Sequence, residues 1–173
     1  DRYKKMLVQD IENQPIFFVF SIAEDLDGNI WIGTDEGPLI YYNPENVFDN
    51  DLKANRIKIP RNDGSNLADY MLKTETITSI AVDGANRKWL GTSSSGAYLL
   101  SADGITQLKN FNEQNSPLFS NSIVSLAVDN KTGEVWFGTS KGIQSFRGDA
   151  TSGHDKFAKV YTFPNPVRED FKG

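Results

Sequence analysis

Apolar residues along this chain come in short runs that alternate with polar ones and stop at glycine, asparagine or aspartate. That is the period of half-buried strands joined by tight turns, not of amphipathic helices. The runs predict strands at Val19 to Ala23, Ile30 to Thr34, Leu39 to Tyr42, Ala97 to Leu100 and Ile143 to Phe146, with outer strands at Arg56 to Ile59 and Ile105 to Phe111. Asp27-Gly28 supplies the positive φ that a hairpin turn needs, and Gly37, Gly96 and Gly142 mark a second turn after each returning strand.

The pattern repeats. Ser21-Ile22-Ala23-Glu24-Asp25 leads to Trp31-Ile32-Gly33-Thr34, Ser79-Ile80-Ala81-Val82-Asp83 to Trp89-Leu90-Gly91-Thr92, and Ser125-Leu126-Ala127-Val128-Asp129 to Trp136-Phe137-Gly138-Thr139. All three tryptophans of the chain therefore hold one repeat position. Aspartate and tryptophan lie 31−25 = 6, 89−83 = 6 and 136−129 = 7 residues apart, while successive tryptophans are 89−31 = 58 and 136−89 = 47 apart. A period of about 40–50 residues with several strands per unit indicates propeller blades. The longer first step predicts a loop insertion between Asn43 and Tyr70, where Asn43-Pro44, Asp49-Asn50-Asp51 and Asn62-Asp63-Gly64 are turn signals.

The expected fold is all-β: a partial β-propeller of about three to four four-stranded antiparallel blades. Blade repeats are expected at about 16–60, 74–112 and 120–150 within a propeller region of 1–158, and Tyr3 to Gln9 as an outer strand of another blade. Small Ser and Ala on the first strand let blades converge near the axis, and Trp with its Ile, Leu or Phe neighbour fills the wider gap between blades. Gly33, Gly91 and Gly138 are expected where a Cβ would meet the adjacent blade or the strand must bend. Asp25, Asp83 and Asp129, with Thr34, Thr92 and Thr139, are expected to bond to turn backbone. Propellers close into rings of typically four to eight blades, so three copies predict a piece of a longer ring or a chain that completes one with another copy.

The repeat motifs resemble the two-component regulator propeller repeat, over roughly residues 18–148. That resemblance implies a large surface or periplasmic protein of Bacteroidetes-type bacteria. Asn115-Ser116-Pro117-Leu118-Phe119-Ser120-Asn121, Thr132-Gly133-Glu134-Val135, Lys141-Gly142-Ile143 and Phe163-Pro164-Asn165-Pro166-Val167-Arg168 further resemble the last blade of the PorZ family of type IX secretion components. In that family the Pro-Asn-Pro-Val segment opens a C-terminal β-sandwich of the sorting type, so 159–173 is expected to be a linker and its first strand. The resemblance implies a non-catalytic scaffold at the outer membrane that binds a partner protein or a glycan such as lipopolysaccharide. Related propellers form the oligosaccharide-binding sensor part of hybrid histidine kinases, which is the alternative; a propeller-type glycan lyase or hydrolase is a distant third.

Composition narrows the chemistry. A net charge of −5 with scattered Lys and Arg offers no cationic surface for a phosphate backbone, which argues against nucleic acid. The most apolar stretch, Ile16 to Ile22, has the length of a strand, far short of the ~20 residues a spanning helix needs. There are no cysteines, hence no disulfides or thiolate metal sites. Asp25-Leu26-Asp27-Gly28-Asn29 has the spacing that opens a calcium loop, but no bidentate Glu follows and the other two copies lose the alternating carboxylates, so it reads as a hairpin turn and no metal is expected. The single histidine, His154 in Thr151-Ser152-Gly153-His154-Asp155, reads as a solvated loop residue, and Gly91-Thr92-Ser93-Ser94-Ser95-Gly96 lacks the Lys of a P-loop. No catalytic residues and no cofactor are expected. Phe17-Phe18 is the outstanding surface feature, because neighbouring strand residues face opposite sides and one of the two must pack elsewhere or be exposed for binding.

Overall fold

The computed structural model describes residues 3–48, 52–61 and 63–153. The expected linker and first strand at 159–173 lie outside the described residues, as does His154. In chain order the strands are β1 (Val8–Gln9), β2 (Pro15–Ile16), β3 (Val19–Glu24), β4 (Ile30–Thr34), β5 (Gly37–Tyr41), β6 (Asn55–Arg56), β7 (Lys58–Pro60) and β8 (Ala68–Tyr70). They continue as β9 (Ile77–Val82), β10 (Lys88–Thr92), β11 (Ala97–Leu100), β12 (Gln107–Phe111), β13 (Ile123–Asp129), β14 (Glu134–Thr139) and β15 (Gly142–Arg147). The 3-10 helix Pro44–Phe48 interrupts them.

Three antiparallel meanders form the blades: β3-β4-β5-β6, β9-β10-β11-β12 and β13-β14-β15. Their first strands pack side by side, with β9 between β3 and β13. The turns between first and second strands need the left-handed region, and Gly28 (φ 80°), Asn86 (φ 58°) and Gly133 (φ 74°) supply it. Each first strand carries a bulge at the same repeat position, next to Val19, Ile77 and Ile123, so that Phe20, Thr78 and Val124 are the extra residues. In register, Trp31 lies opposite Ala23, Trp89 opposite Ala81 and Trp136 opposite Ala127. A methyl beside each indole leaves room for it to lean away from its own sheet.

That lean builds the core. Trp31 and Ile40 of the first blade pack in one cluster with Ile77, Ile80, Leu90 and Leu100 of the second. Trp89 and Leu99 of the second pack with Ile123, Val135 and Phe137 of the third. Trp89 meets Phe137 edge-on at 5.8 Å between centroids, an arrangement that the ring quadrupoles favour. A Cβ on Gly33 would lie 2.6 Å from the Ile77 carbonyl, and one on Gly91 would lie 2.6 Å from Ile123 Cγ2. The absence of a side chain there lets the next blade close in. Gly138 differs: a Cβ would meet only Ser125 of its own blade.

The third tryptophan departs from the expected wedge. Trp31 and Trp89 are 1% and 0% exposed, whereas Trp136 is 44% exposed, because no further blade covers it among the described residues. Two strand expectations also need correction. Of Arg56 to Ile59, only Asn55–Arg56 joins the first blade; Ile57 turns into the core between blades, and Lys58–Pro60 pairs with Ala68–Tyr70 in a separate hairpin within the insertion. Of Tyr3 to Gln9, only Val8–Gln9 is a strand, paired with Pro15–Ile16 in a small hairpin. That hairpin is tied to the first blade by Arg56, which is buried between Asp10 (Nε–Oδ2 2.9 Å) and Glu36 (Nη2–Oε2 2.8 Å).

Trp89→Ala should cost about 3–5 kcal/mol, and Trp136→Ala under about 1 kcal/mol, as at an open surface. Denaturant unfolding of the two variants checks this; equal losses would contradict the placement of Trp89 as an inter-blade wedge.

Candidate functional site

The repeat aspartates face the turns that join first to second strands. Asp25 Oδ1 accepts hydrogen bonds from the backbone N–H groups of Asp27 (3.0 Å) and Asn29 (2.9 Å), which closes the turn. Its Oδ2 accepts from Trp31 Nε1 at 2.9 Å and lies 3.0 Å from Lys88 Nζ of the second blade. Asp83 repeats the turn with Ala85 N and Arg87 N, and its Oδ2 receives Trp89 Nε1 (3.3 Å) and Arg87 Nε (2.8 Å). Asp129 bonds to Lys131 N and to Thr132 Oγ1, both exposed. The repeat threonines serve the opposite turns: Thr34, Thr92 and Thr139 each donate to the carbonyl of the following turn glycine, Gly37, Gly96 and Gly142.

Lys88 is the most unusual of these groups. It is fully buried, donates to the carbonyls of Asn86 (2.8 Å) and Ala102 (2.6 Å), and lies 4.9 Å from the Trp31 ring centroid. A buried ammonium is tolerated only with this degree of pairing. The same seam carries further hydrogen bonds, from Asn86 Nδ2 to Asp27 Oδ2 (2.8 Å) and from Leu26 N to Asn86 Oδ1 (2.9 Å). Burial alone would raise the Asp25 carboxyl, but the bonds from Trp31, Lys88 and Asn29 outweigh it and hold it lowered to about 2. The lone pairs of Asp25 and Asp83 are taken up by these bonds, whereas the exposed Asp129 accepts one on each oxygen. Among the described residues no group of three or more His, Cys, Asp or Glu side chains converges as metal ligands.

Lys88 and Arg56 escaped the sequence reading, although one signal was there: Lys88 stands where the other copies have Ile30 and Val135. The same comparison marks the surface aromatics. Phe17, Phe18 and Phe20 occupy positions held by Glu75, Thr76 and Thr78 in the second blade and by Asn121, Ser122 and Val124 in the third. All three phenylalanines are exposed, Phe17 at 81%, and Phe18 stacks on Phe20 at 6.4 Å between centroids. Both members of Phe17-Phe18 thus face solvent, so of the two alternatives, packing elsewhere or exposure for binding, the structure has exposure. Among the described residues, this strip and the apolar cleft lined by Val19, Ile22, Ile30, Ile32 and Tyr41 are features available to a ligand or partner.

Asp25 is lowered from an ordinary 3.8 to about 2, so its stabilising contribution is present above about pH 4 and is lost as pH falls through about 2. The contribution is on the order of 2 kcal/mol. Asp25→Asn should therefore be less stable than the parent at pH 7 and should narrow the gap between the two at pH 2, measured by urea unfolding at each pH. An unchanged gap would show that the carboxylate is not held by these bonds.

The two-component regulator propeller model matches residues 13–36. Among solved structures the chain is similar to PorZ of Porphyromonas gingivalis, described as an essential bacterial surface component of the type-IX secretion system, with 32% identity over 93% of this chain and a TM-score of 0.77. The chain spans 22% of that protein's length. It shares its fold with the extracellular domain of a protein described as a hybrid two-component system of B. thetaiotaomicron, at 24% identity, TM-score 0.59, and coverage of 83% of this chain and 17% of that one. A second such extracellular domain from the same organism, described as belonging to a one-component system, is similar at 22% identity and TM-score 0.57, over 84% of this chain and 17% of that one. Among curated proteins there is no match. The chain is a β-propeller segment that carries the two-component regulator propeller repeat and is similar over most of its length to PorZ.

Proposed function

We propose that this chain is a non-catalytic binding and scaffolding part of a bacterial surface or periplasmic protein with a PorZ-like role in secretion or cell-surface attachment. The observation that carries the reading is the similarity to PorZ at 32% identity across 93% of the chain. The site geometry agrees with it, since the repeat aspartates are engaged in turns and blade seams. The partner is a protein or an outer-membrane glycan, and the Phe17-Phe18-Phe20 strip is its contact. Exposed aromatics desolvate readily and offer flat surfaces both to sugars and to apolar pockets of a protein. No helix among the described residues is long and apolar enough to cross a membrane, and the role requires none in this segment.

The test is performed in the source cell. Replacing Phe17 and Phe18 with serine in the parent protein should leave its level and surface exposure unchanged while secreted cargo fails to reach the cell surface, measured by fractionation. Normal cargo delivery combined with an oligosaccharide-dependent change in transcription would instead make this a sensor's ligand-binding part. Glycan turnover abolished by one carboxylate substitution would overturn the non-catalytic reading.

A further inference from the structure

The chain leaves the third strand of the third blade by another route than in the second. After β11 it reverses at once: Ser101 N donates to Thr106 O (2.9 Å), Gly104 N donates to Ser101 O (2.9 Å), and Asp103 accepts from Ile105 N (3.0 Å) inside the same turn. After β15, residues 148–152 run instead as a strap across two turns. Gly148 N donates to Gly133 O (2.8 Å) and Ser152 N to Asn130 O (2.7 Å), both acceptors in the β13-β14 turn, and Ala150 between them is buried. The strap then lies against the β9-β10 turn of the second blade, where a Cβ on Gly84 would sit 2.3 Å from the carbonyl carbon of Thr151 and 2.4 Å from Ser152 N.

Three residues depart from their repeat counterparts where the strap is fastened. Gly84 follows the turn aspartate, where the other copies have Leu26 and Asn130. Its φ lies outside the left-handed region, so the missing side chain serves the close approach of the strap and not the turn. Arg87 stands where the first blade has Asn29, whose Nδ2 bonds to Asp25 of its own blade. Arg87 instead spans two carboxylates, Asp83 through Nε (2.8 Å) and Asp149 of the strap through Nη2 (2.8 Å). Asp149 occupies the repeat position of Asp103, which serves only its own turn. In the first seam a charge crosses directly, from Lys88 to Asp25. In the second, Arg87 and Asp83 belong to one blade, and the strap brings the crossing charge from the other.

We infer that residues 148–152 are a clasp that fastens the third blade to the second, seated on Gly84 and caught by Arg87, and that the clasp opens as a unit before the blades part. Two backbone hydrogen bonds, one buried alanine and one ion pair hold it, and the Asp149 carboxylate in that pair is 82% exposed. The apolar cluster of the same seam buries Trp89, Ile123, Val135 and Phe137. Local opening follows the amount of buried contact, so the strap is released at a lower cost than the blades. Closed, it directs the chain along the second blade; open, it leaves the third blade held by its apolar seam. This fastening is independent of which partner the protein binds.

Amide hydrogen exchange on the intact chain reads the clasp directly. In the parent protein the Gly148 and Ser152 N–H groups should be protected and exchange together, at a faster rate than the Trp89 indole N–H. Gly84→Ala places a methyl group where the backbone of the strap lies and should speed both amides at least about tenfold. Asp149→Ala removes the catch at an exposed position and should speed both about two- to fivefold. Trypsin cleavage after Arg147 should rise in the same order, because a fastened strap cannot extend into a protease, while Trp89 protection stays at the parent level. Parent amides that exchange as fast as unbonded ones, two amides that respond separately, rates unchanged by either substitution, or Trp89 protection lost together with that of the strap would each overturn the inference.

Discussion

The structure depends on one contact: an indole from the second strand of one blade inserted into the apolar wall of the next. A blade by itself has two faces and no interior, so its residues gain burial only from neighbours. Trp31 and Trp89 provide that burial from one side, and Ile77 and Ile123 lock into glycine pits from the other. The remaining regularities serve this contact. The alanine opposite each tryptophan makes room, the bulge turns the first strand past its neighbour, and the left-handed turn residues let the chain reverse within a few positions.

The polar seam is secondary in energy and primary in specificity. Full burial of a large apolar side chain contributes about 1.5–3 kcal/mol, while a buried ion pair such as Asp25 with Lys88 is close to neutral once desolvation is counted. What the pair adds is direction. Asp25 receives its own blade's indole N–H and the next blade's ammonium on one oxygen, so the rotamer of Trp31 and the register of the second blade are fixed together. At the next seam the cation comes from Arg87 of the same blade as Asp83, and Val135 fills the place of Lys88. The two seams share their apolar contact and differ in their charges, which is the order of importance expected if packing drives association and electrostatics selects the neighbour.

Much of this was legible in the sequence because the repeat is written in residue types with few alternative uses. Three tryptophans at one position, each followed by Gly-Thr two residues on and preceded by a turn aspartate, fix strand order, turn position and blade size. The long first step also located the insertion, but not its content: Ile57 turning inward and the β7-β8 hairpin beyond it depend on burial against the second blade, a tertiary effect with no local period. An uncovered end was implied by three copies of a ring-forming repeat, but that Trp136 is the tryptophan left exposed is not written at its own position, since the neighbour that would bury it is supplied by the architecture. Lys88 and the Phe17-Phe18-Phe20 strip lay between these cases. Neither stands out by composition, yet Lys88 breaks the repeat where the other copies have Ile30 and Val135, and Phe17 and Phe18 break it where the other copies are polar.

The most direct measurement of the central claim is solvent exchange at the three indole N–H groups, resolved by NMR on the intact chain at low concentration. If tryptophan insertion between blades organises the fold, the Trp31 and Trp89 indole protons, hydrogen-bonded to buried Asp25 and Asp83, exchange only through unfolding, while that of Trp136 exchanges freely. Three indoles exchanging at one common rate would contradict the account, because the plug in each seam would then be no more protected than the one facing solvent.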